Sequence, residues 1–233
     1  MIFETLHEDE YCNVRGNPDQ IAQSSRILLS FTGIGQASGG IEVQNLEFVS
    51  TASNAGAPIF ISDTTRSWGN RLDFELLQNV IAPYIEGRRL FSLGNSMGGF
   101  LCVLASSFFP IEAAISFGGQ YSVHPRIVPD ETRWRPHRNR IDNWRYESLS
   151  EHINSTTRYY LFYGDHHLEE LHYSRYPRQP NVHCYIFPGR KHNLAGVMKR
   201  HGVLDYVVSA CLEDRFELGG INAKITEGAY ELS

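Results

Sequence analysis

Short runs of β-branched and aromatic residues alternate along this chain with longer segments whose apolar residues recur at helical spacing. Arg26–Thr32 (RILLSFT) is a nearly unbroken apolar run of strand length that ends at Gly33-Ile34-Gly35, and Pro58–Asp63 (PIFISD) is a second. A polar turn follows, then Leu72–Ile85, which reads as an amphipathic helix. Leu90–Leu93 is a short strand running into Gly94-Asn95-Ser96-Met97-Gly98-Gly99, and Phe100–Phe109 is apolar enough to be a buried helix. Further strands are predicted at Ala113–Phe117, Tyr159–Tyr163 and His183–Phe187, with a closing helix over Asn193–Leu212. Strands that are apolar on both sides need cover on both faces. Together with the strand–helix alternation, this predicts an α/β fold: a mostly parallel central sheet flanked by helices.

Two segments depart from the rhythm. Gln120–Asn154 is interrupted by Pro125, Pro129 and Pro136 and has no sustained period, so it reads as a short lid insertion rather than a large helical cap. Glu213–Ser233 is a polar, glycine-containing tail, expected to be anchored by the N-terminal segment or by a second subunit of a homo-oligomer. No repeat or low-complexity linker divides the 233 residues, which predicts a single domain able to bury roughly 70% of its unfolded surface.

Composition narrows the function classes. A formal net charge of −5 gives no general attraction to nucleic acid or to an anionic membrane. No apolar run approaches the roughly 18 residues of a spanning helix. Glu4, Glu8, Asp9 and Glu10 stand where a secretory leader would need basic residues, so a cytoplasmic location is expected. Cys12, Cys102, Cys184 and Cys211 are scattered in a way that fits neither a zinc site nor a disulfide framework, and they read as reduced, buried thiols.

The chemistry concentrates at Gly94-Asn95-Ser96-Met97-Gly98, which fits G-x-S-x-G between a strand and a helix. A serine on so sharp a turn needs small residues two positions to either side. It also sits at the positive end of the next helix, where the Met97 N–H can meet developing negative charge. A serine hydroxyl attacks only when a positioned imidazole takes its proton. Of ten histidines, His192 follows the last strand and opens the last helix. For the acid that orients the imidazole, Asp165 closes the Tyr159–Tyr163 strand at the carboxyl edge of the sheet, with Glu169 and Glu170 as alternatives.

From about Arg26 to Leu212 the order of these motifs resembles the α/β-hydrolase superfamily: oxyanion loop, serine elbow, acid after a later strand, histidine before the last helix. The resemblance implies serine-hydrolase activity and a second oxyanion donor just after the first parallel strand, here the Ile34 N–H. Two departures stand out. Thr32 occupies a position that is often histidine, and His167 occupies the usual place of the acid, three residues after Gly164.

Around this centre, Gly33, Asn95, Arg66, Trp68, Gln120 and Trp134 are candidate substrate contacts. Arg126, Arg133, Arg135, Arg138, Arg140 and Arg145 interleave with Trp134, Trp144 and Tyr146. They suit either an anionic or sugar-bearing ester or a lid stiffened by pairing with Asp130, Glu131 and Asp142. Asp63–Asn70, together with Gln120-Tyr121-Ser122 and His192-Asn193, is similar to α/β-hydrolase proteins associated with bacterial surface-glycan modification. His166, His167 and His172 lack a second ligand group at metal-binding spacing, so no metal and no organic cofactor is expected. The expectation is hydrolysis of a small-molecule or glycan carboxylic ester through an acyl-enzyme. Acyl transfer to a sugar hydroxyl and a non-catalytic α/β-hydrolase-like binding protein are the alternatives.

Overall fold

The computed structural model describes residues 2–35, 43–221, 225 and 227–232. Its strands are β1 (Glu4–Glu8), β2 (Cys12–Gly16), β3 (Arg26–Phe31), β4 (Ala57–Asp63), β5 (Arg89–Asn95), β6 (Ile111–Phe117), β7 (Arg158–Gly164), β8 (Val182–Phe187) and β9 (Tyr230–Glu231). The α-helices are α1 (Pro18–Gln23), α2 (Val49–Ala55), α3 (Phe74–Ile85), α4 (Met97–Leu104), α5 (Arg135–Arg138), α6 (His167–Tyr173), α7 (Leu194–Arg200) and α8 (Leu204–Leu212).

Among the described residues the strands form one sheet in the order β1-β2-β4-β3-β5-β6-β7-β8-β9. The run from β4 to β8 is parallel, and β1, β2 and β9 add antiparallel edges. Alternate residues supply two cores. Ile27, Leu29 and Phe31 of β3 pack on one face with Phe74, Leu77 and Ile81 of α3 and Phe100 and Leu101 of α4. Leu28, Phe91 and Leu93 pack on the other with Ala52 of α2, Met198 of α7 and Val207, Val208 and Cys211 of α8. The continuous apolar runs are therefore strands covered on both sides.

Three sequence expectations change. The closing helix over Asn193–Leu212 is two helices, because Gly202 takes a left-handed backbone (φ 71) and caps α7. The Val203 N–H reaches the Met198 carbonyl and the Gly202 N–H that of Lys199, and the two bonds end the ladder. The tail is not anchored by the N-terminal segment: β9 pairs with β8, while β1 lies at the opposite edge. Phe216, Ile221 and Ile225 add apolar anchors on the α8 face. The buried helix begins at Met97 rather than Phe100, directly after the serine.

The insertion between β6 and β7 contains no helix longer than α5. It lies flat because Tyr121, Val123, Trp134, Ile141, Tyr146 and Leu149 enter the α3/α4-side core. Its arginines largely serve this packing. Arg145 donates to the Leu72 carbonyl (3.0 Å), Arg138 to the Val123 and Val128 carbonyls (3.3 and 3.4 Å), and Arg126 to Glu147 (3.0 Å). All four cysteines are buried free thiols, and burial raises their pKa values, which removes them as nucleophiles. Among the described residues no helix is long and apolar enough to cross a membrane.

Candidate active site

Ser96 stands between β5 and α4 with φ 57 and ψ −122, a conformation L-residues adopt only where the surroundings enforce it. The enforcement is close backbone packing. A Cβ on Gly94 would lie 2.0 Å from the Gly98 carbonyl oxygen, and one on Gly98 would lie 2.1 Å from that of Phe31. The Ser96 N–H donates to Phe117 of the neighbouring strand (2.9 Å), which ties the turn to the sheet edge. Met97 is the first residue of α4, where the helical ladder offers its N–H no acceptor.

His192 lies in the loop between β8 and α7, one residue before the α7 N-cap Asn193. Its Nε2 is 2.9 Å from Ser96 Oγ, and its Nδ1 is 3.1 and 3.3 Å from the two Glu169 carboxylate oxygens. The serine hydroxyl donates to Nε2 and the Nδ1–H donates to Glu169. Gly118, at φ 55, makes room for this pair: a Cβ there would meet His192 Nδ1 at 3.1 Å and Glu169 Oε2 at 3.4 Å.

The acid expected at Asp165 is corrected. Asp165 is exposed and accepts the Gly189 N–H (2.9 Å), so it pins the turn after β8 and does not face the imidazole. Glu169, the alternative, sits on the inward face of α6 with His172, while Glu170 is exposed. Helical periodicity after β7 decides between the three carboxylates.

Glu169 belongs to a buried network. Arg133 bridges Glu169 and Glu131, and His172 Nε2 lies 3.0 Å from Glu131. His172 Nδ1 accepts the Tyr121 N–H (3.3 Å), so its proton is on Nε2 and is donated to Glu131. Burial holds the His172 pKa down against the pull of Glu131, which keeps the ring neutral. Burial pushes Glu169 upward, but the hydrogen bond and charge of His192 and the Arg133 charge outweigh it and leave the carboxyl below its ordinary range. Burial likewise opposes ionisation of Glu131, yet His172 and Arg133 bring it down to about 2. With Glu131 and Glu169 ionised around one guanidinium, the cluster carries a net charge of −1 facing His192. His172 is thus a structural partner of Glu131, and among the described residues no group of three metal-ligating side chains is assembled.

The remaining candidates divide. Gly33, Ile34, Asn95 and Trp134 line a chamber of about 60 Å³ together with Gly35, Glu47, Ser96 and His192. Gln120 is buried and donates through Nε2 to Ser96 Oγ (3.2 Å). Trp68 is corrected from a substrate contact to a support behind the site: it is fully buried, and its indole N–H donates to Gln120 Oε1 (3.0 Å). Because indole is only a donor, this contact turns the amide NH₂ of Gln120 toward the serine. Arg66 is likewise moved away from the chamber lining and donates to the Ile34 carbonyl (3.0 Å), bracing the glycine loop. Thr32, in the position often held by histidine, contacts Ser62 Oγ (2.6 Å) within the sheet.

Sequence reasoning did not single out Glu47. Its carboxyl lies against the glycine loop, where a Cβ on Gly33 would meet Glu47 Oε1 at 3.0 Å. Burial, partly offset by the nearby Gly33 backbone amide, raises the Glu47 pKa to about 7. The signal was weak because Glu47 lies in a polar loop outside every apolar run.

This sheet order, with a serine on the β5–α4 turn and a histidine after β8, is the α/β-hydrolase fold. Solved structures share it at low identity. Est1E from Butyrivibrio proteoclasticus aligns over 91% of this chain and 99% of its own at 12% identity and a TM-score of 0.55. A soluble variant of monoglyceride lipase from Saccharomyces cerevisiae aligns over 93% and 96% at 12% identity and a TM-score of 0.56. A glycosylation-associated protein (Gap123) complex from Streptococcus agalactiae matches over 88% of this chain at 13% identity and a TM-score of 0.57. The chain spans only 46% of that larger one. Neither a protein-family model nor a curated protein sequence matches the chain.

Proposed function

We propose that the protein is a serine esterase or acyltransferase that works through an acyl-enzyme, with Ser96 as nucleophile, His192 as general base and Glu169 as the acid partner. The observation that carries this reading is the continuous chain of hydrogen bonds from Ser96 Oγ through His192 to Glu169. In the first step Ser96 Oγ attacks the acyl carbon while its proton passes to His192 Nε2. The carbonyl oxygen gains negative charge and is met by the Met97 and Ile34 N–H groups. The imidazolium then gives its proton to the leaving alcohol, and water or an acceptor hydroxyl releases the acyl group by the reverse sequence.

The net −1 of the Glu131–Arg133–Glu169 cluster favours this cycle, since protonating His192 neutralises the site instead of adding an unbalanced charge. The reaction as drawn uses no cofactor. A fluorophosphonate probe tests the reading. Wild-type protein is expected to be labelled at Ser96 and the Ser96→Ala variant to stay unlabelled, as read by intact-mass spectrometry. A correctly folded wild-type protein that resists the probe would favour a binding role instead.

A further inference from the structure

Three polar groups in the Ser96 chamber have buried atoms with no hydrogen-bond partner among the described residues: Glu47 Oε2, Asn95 Oδ1 and Trp134 Nε1. A buried polar atom left unpaired is destabilising, so three around one small chamber call for a ligand that pairs them. Two of them are oxygens: that of Asn95 accepts, and that of Glu47 accepts when ionised and donates when protonated. The third, the indole N–H, only donates.

That combination selects the chemistry of the ligand. An ammonium group can donate to the two oxygens but has no lone pair for the indole. A carboxylate or phosphate dianion can accept from the indole but has no proton for the Asn95 oxygen. A hydroxyl does both, and two of them supply partners for all three atoms. Space points the same way. The chamber of about 60 Å³ beside Ser96 holds only a small acyl group, whereas Glu47 and Asn95 also border a cavity of about 310 Å³ lined by Phe48, Ser50, Thr51 and Leu204. The bulk of a substrate would lie there, next to the two acceptor oxygens.

We propose that Glu47, Asn95 and Trp134 form a hydroxyl-recognition subsite, so that the ester handled at Ser96 is a short-chain acyl ester of a polyhydroxylated alcohol such as a sugar. The proposal rests on the acyl-enzyme reading above and deepens it. Glu47 is then a specificity-determining residue: its carboxyl lies against Gly33 of the oxyanion loop, and its unpaired Oε2 meets a substrate hydroxyl.

The test compares a mono-acetylated methyl glucoside with cyclohexyl acetate, which lacks hydroxyls, in wild-type, Glu47→Gln and Trp134→Phe proteins. Glu47→Gln keeps the side chain's shape but replaces a carboxyl oxygen with an amide NH₂ that cannot accept. Trp134→Phe removes the N–H but keeps an aromatic ring against His192. Wild-type protein is expected to prefer the glucoside ester, and each variant to lower the ratio of the two kcat/KM values about tenfold, the loss of one well-placed hydrogen bond. A wild type without preference, or variants with the wild-type ratio, would overturn the subsite. Fluorophosphonate labelling of the same three proteins separates the two readings. Labelling with an unchanged ratio defeats the subsite alone, and absence of labelling in wild type defeats the acyl-enzyme reading and the subsite with it.

Discussion

Replacing Glu169 by glutamine is expected to lower kcat on a short-chain ester about 10⁴-fold, while Asp165→Asn leaves it within about twofold. The contrast follows from where the two carboxylates point. Glu169 accepts the His192 Nδ1–H and thereby sets the tautomer whose Nε2 lone pair faces Ser96. A glutamine there offers an amide that can turn its NH₂ toward Nδ1, which moves the imidazole proton to Nε2 and leaves the serine without a base. It also removes the negative charge that stabilises the imidazolium. Asp165 accepts only the Gly189 N–H at the surface, so its loss perturbs a turn. Steady-state kinetics of the two variants decides the matter: a large loss in Asp165→Asn with little change in Glu169→Gln would reverse the assignment.

Arg133→Met is expected to destabilise the fold by about 3–5 kcal/mol at pH 7, because it leaves two buried carboxylates without their shared cation. Glu131 and Glu169 are both deeply buried, and Arg133 contacts both. In the wild type both carboxyl pKa values are depressed in the folded state, Glu131 to about 2. Their contribution is therefore complete above the unfolded carboxylate pKa of about 4.5 and is lost as the pH falls from there toward 2. Without Arg133 the same groups bind protons more readily when folded, so acidification relieves the variant while it weakens the wild type. Chemical denaturation at pH 7 and pH 4 should show the gap between them narrowing at the lower pH. A gap that stays constant or widens would mean that Arg133 does not act through these carboxylates.

How much could be read in advance depended on the range of the forces involved. The parallel strands were legible because strands covered on both faces must be apolar at every position, as in Ala57–Asp63, where every residue is buried. β1 was not, because an exposed edge strand such as Glu4–Glu8 carries mostly polar residues. Helix α2 (VSTASNA) has little intrinsic helical preference. Its place is secured by Ala52 in the α8-side core and by Thr51 and Asn54, which donate to Asp205 at 2.6 and 2.8 Å. Those partners are about 150 positions away along the chain, so no local reading finds them. The arginines between 126 and 145 looked like a surface for an anionic ligand, yet most of those with a contact described above are bonded to backbone carbonyls or to carboxylates of the protein itself.

By itself the amino-acid sequence determined the strand–helix alternation, the glycine spacing that lets a serine occupy a left-handed turn, and the choice of His192 from ten histidines. Each of these rests on local sterics or on position relative to a strand. Tertiary structure alone decided which carboxylate meets the imidazole, that Trp68 stands behind the serine, and that Glu47 shares its chamber. Those outcomes depend on which way side chains point once distant segments pack together. A one-residue change in direction on a helix or loop redirects a carboxylate from the active centre to the surface, as Glu169 and Glu170 demonstrate.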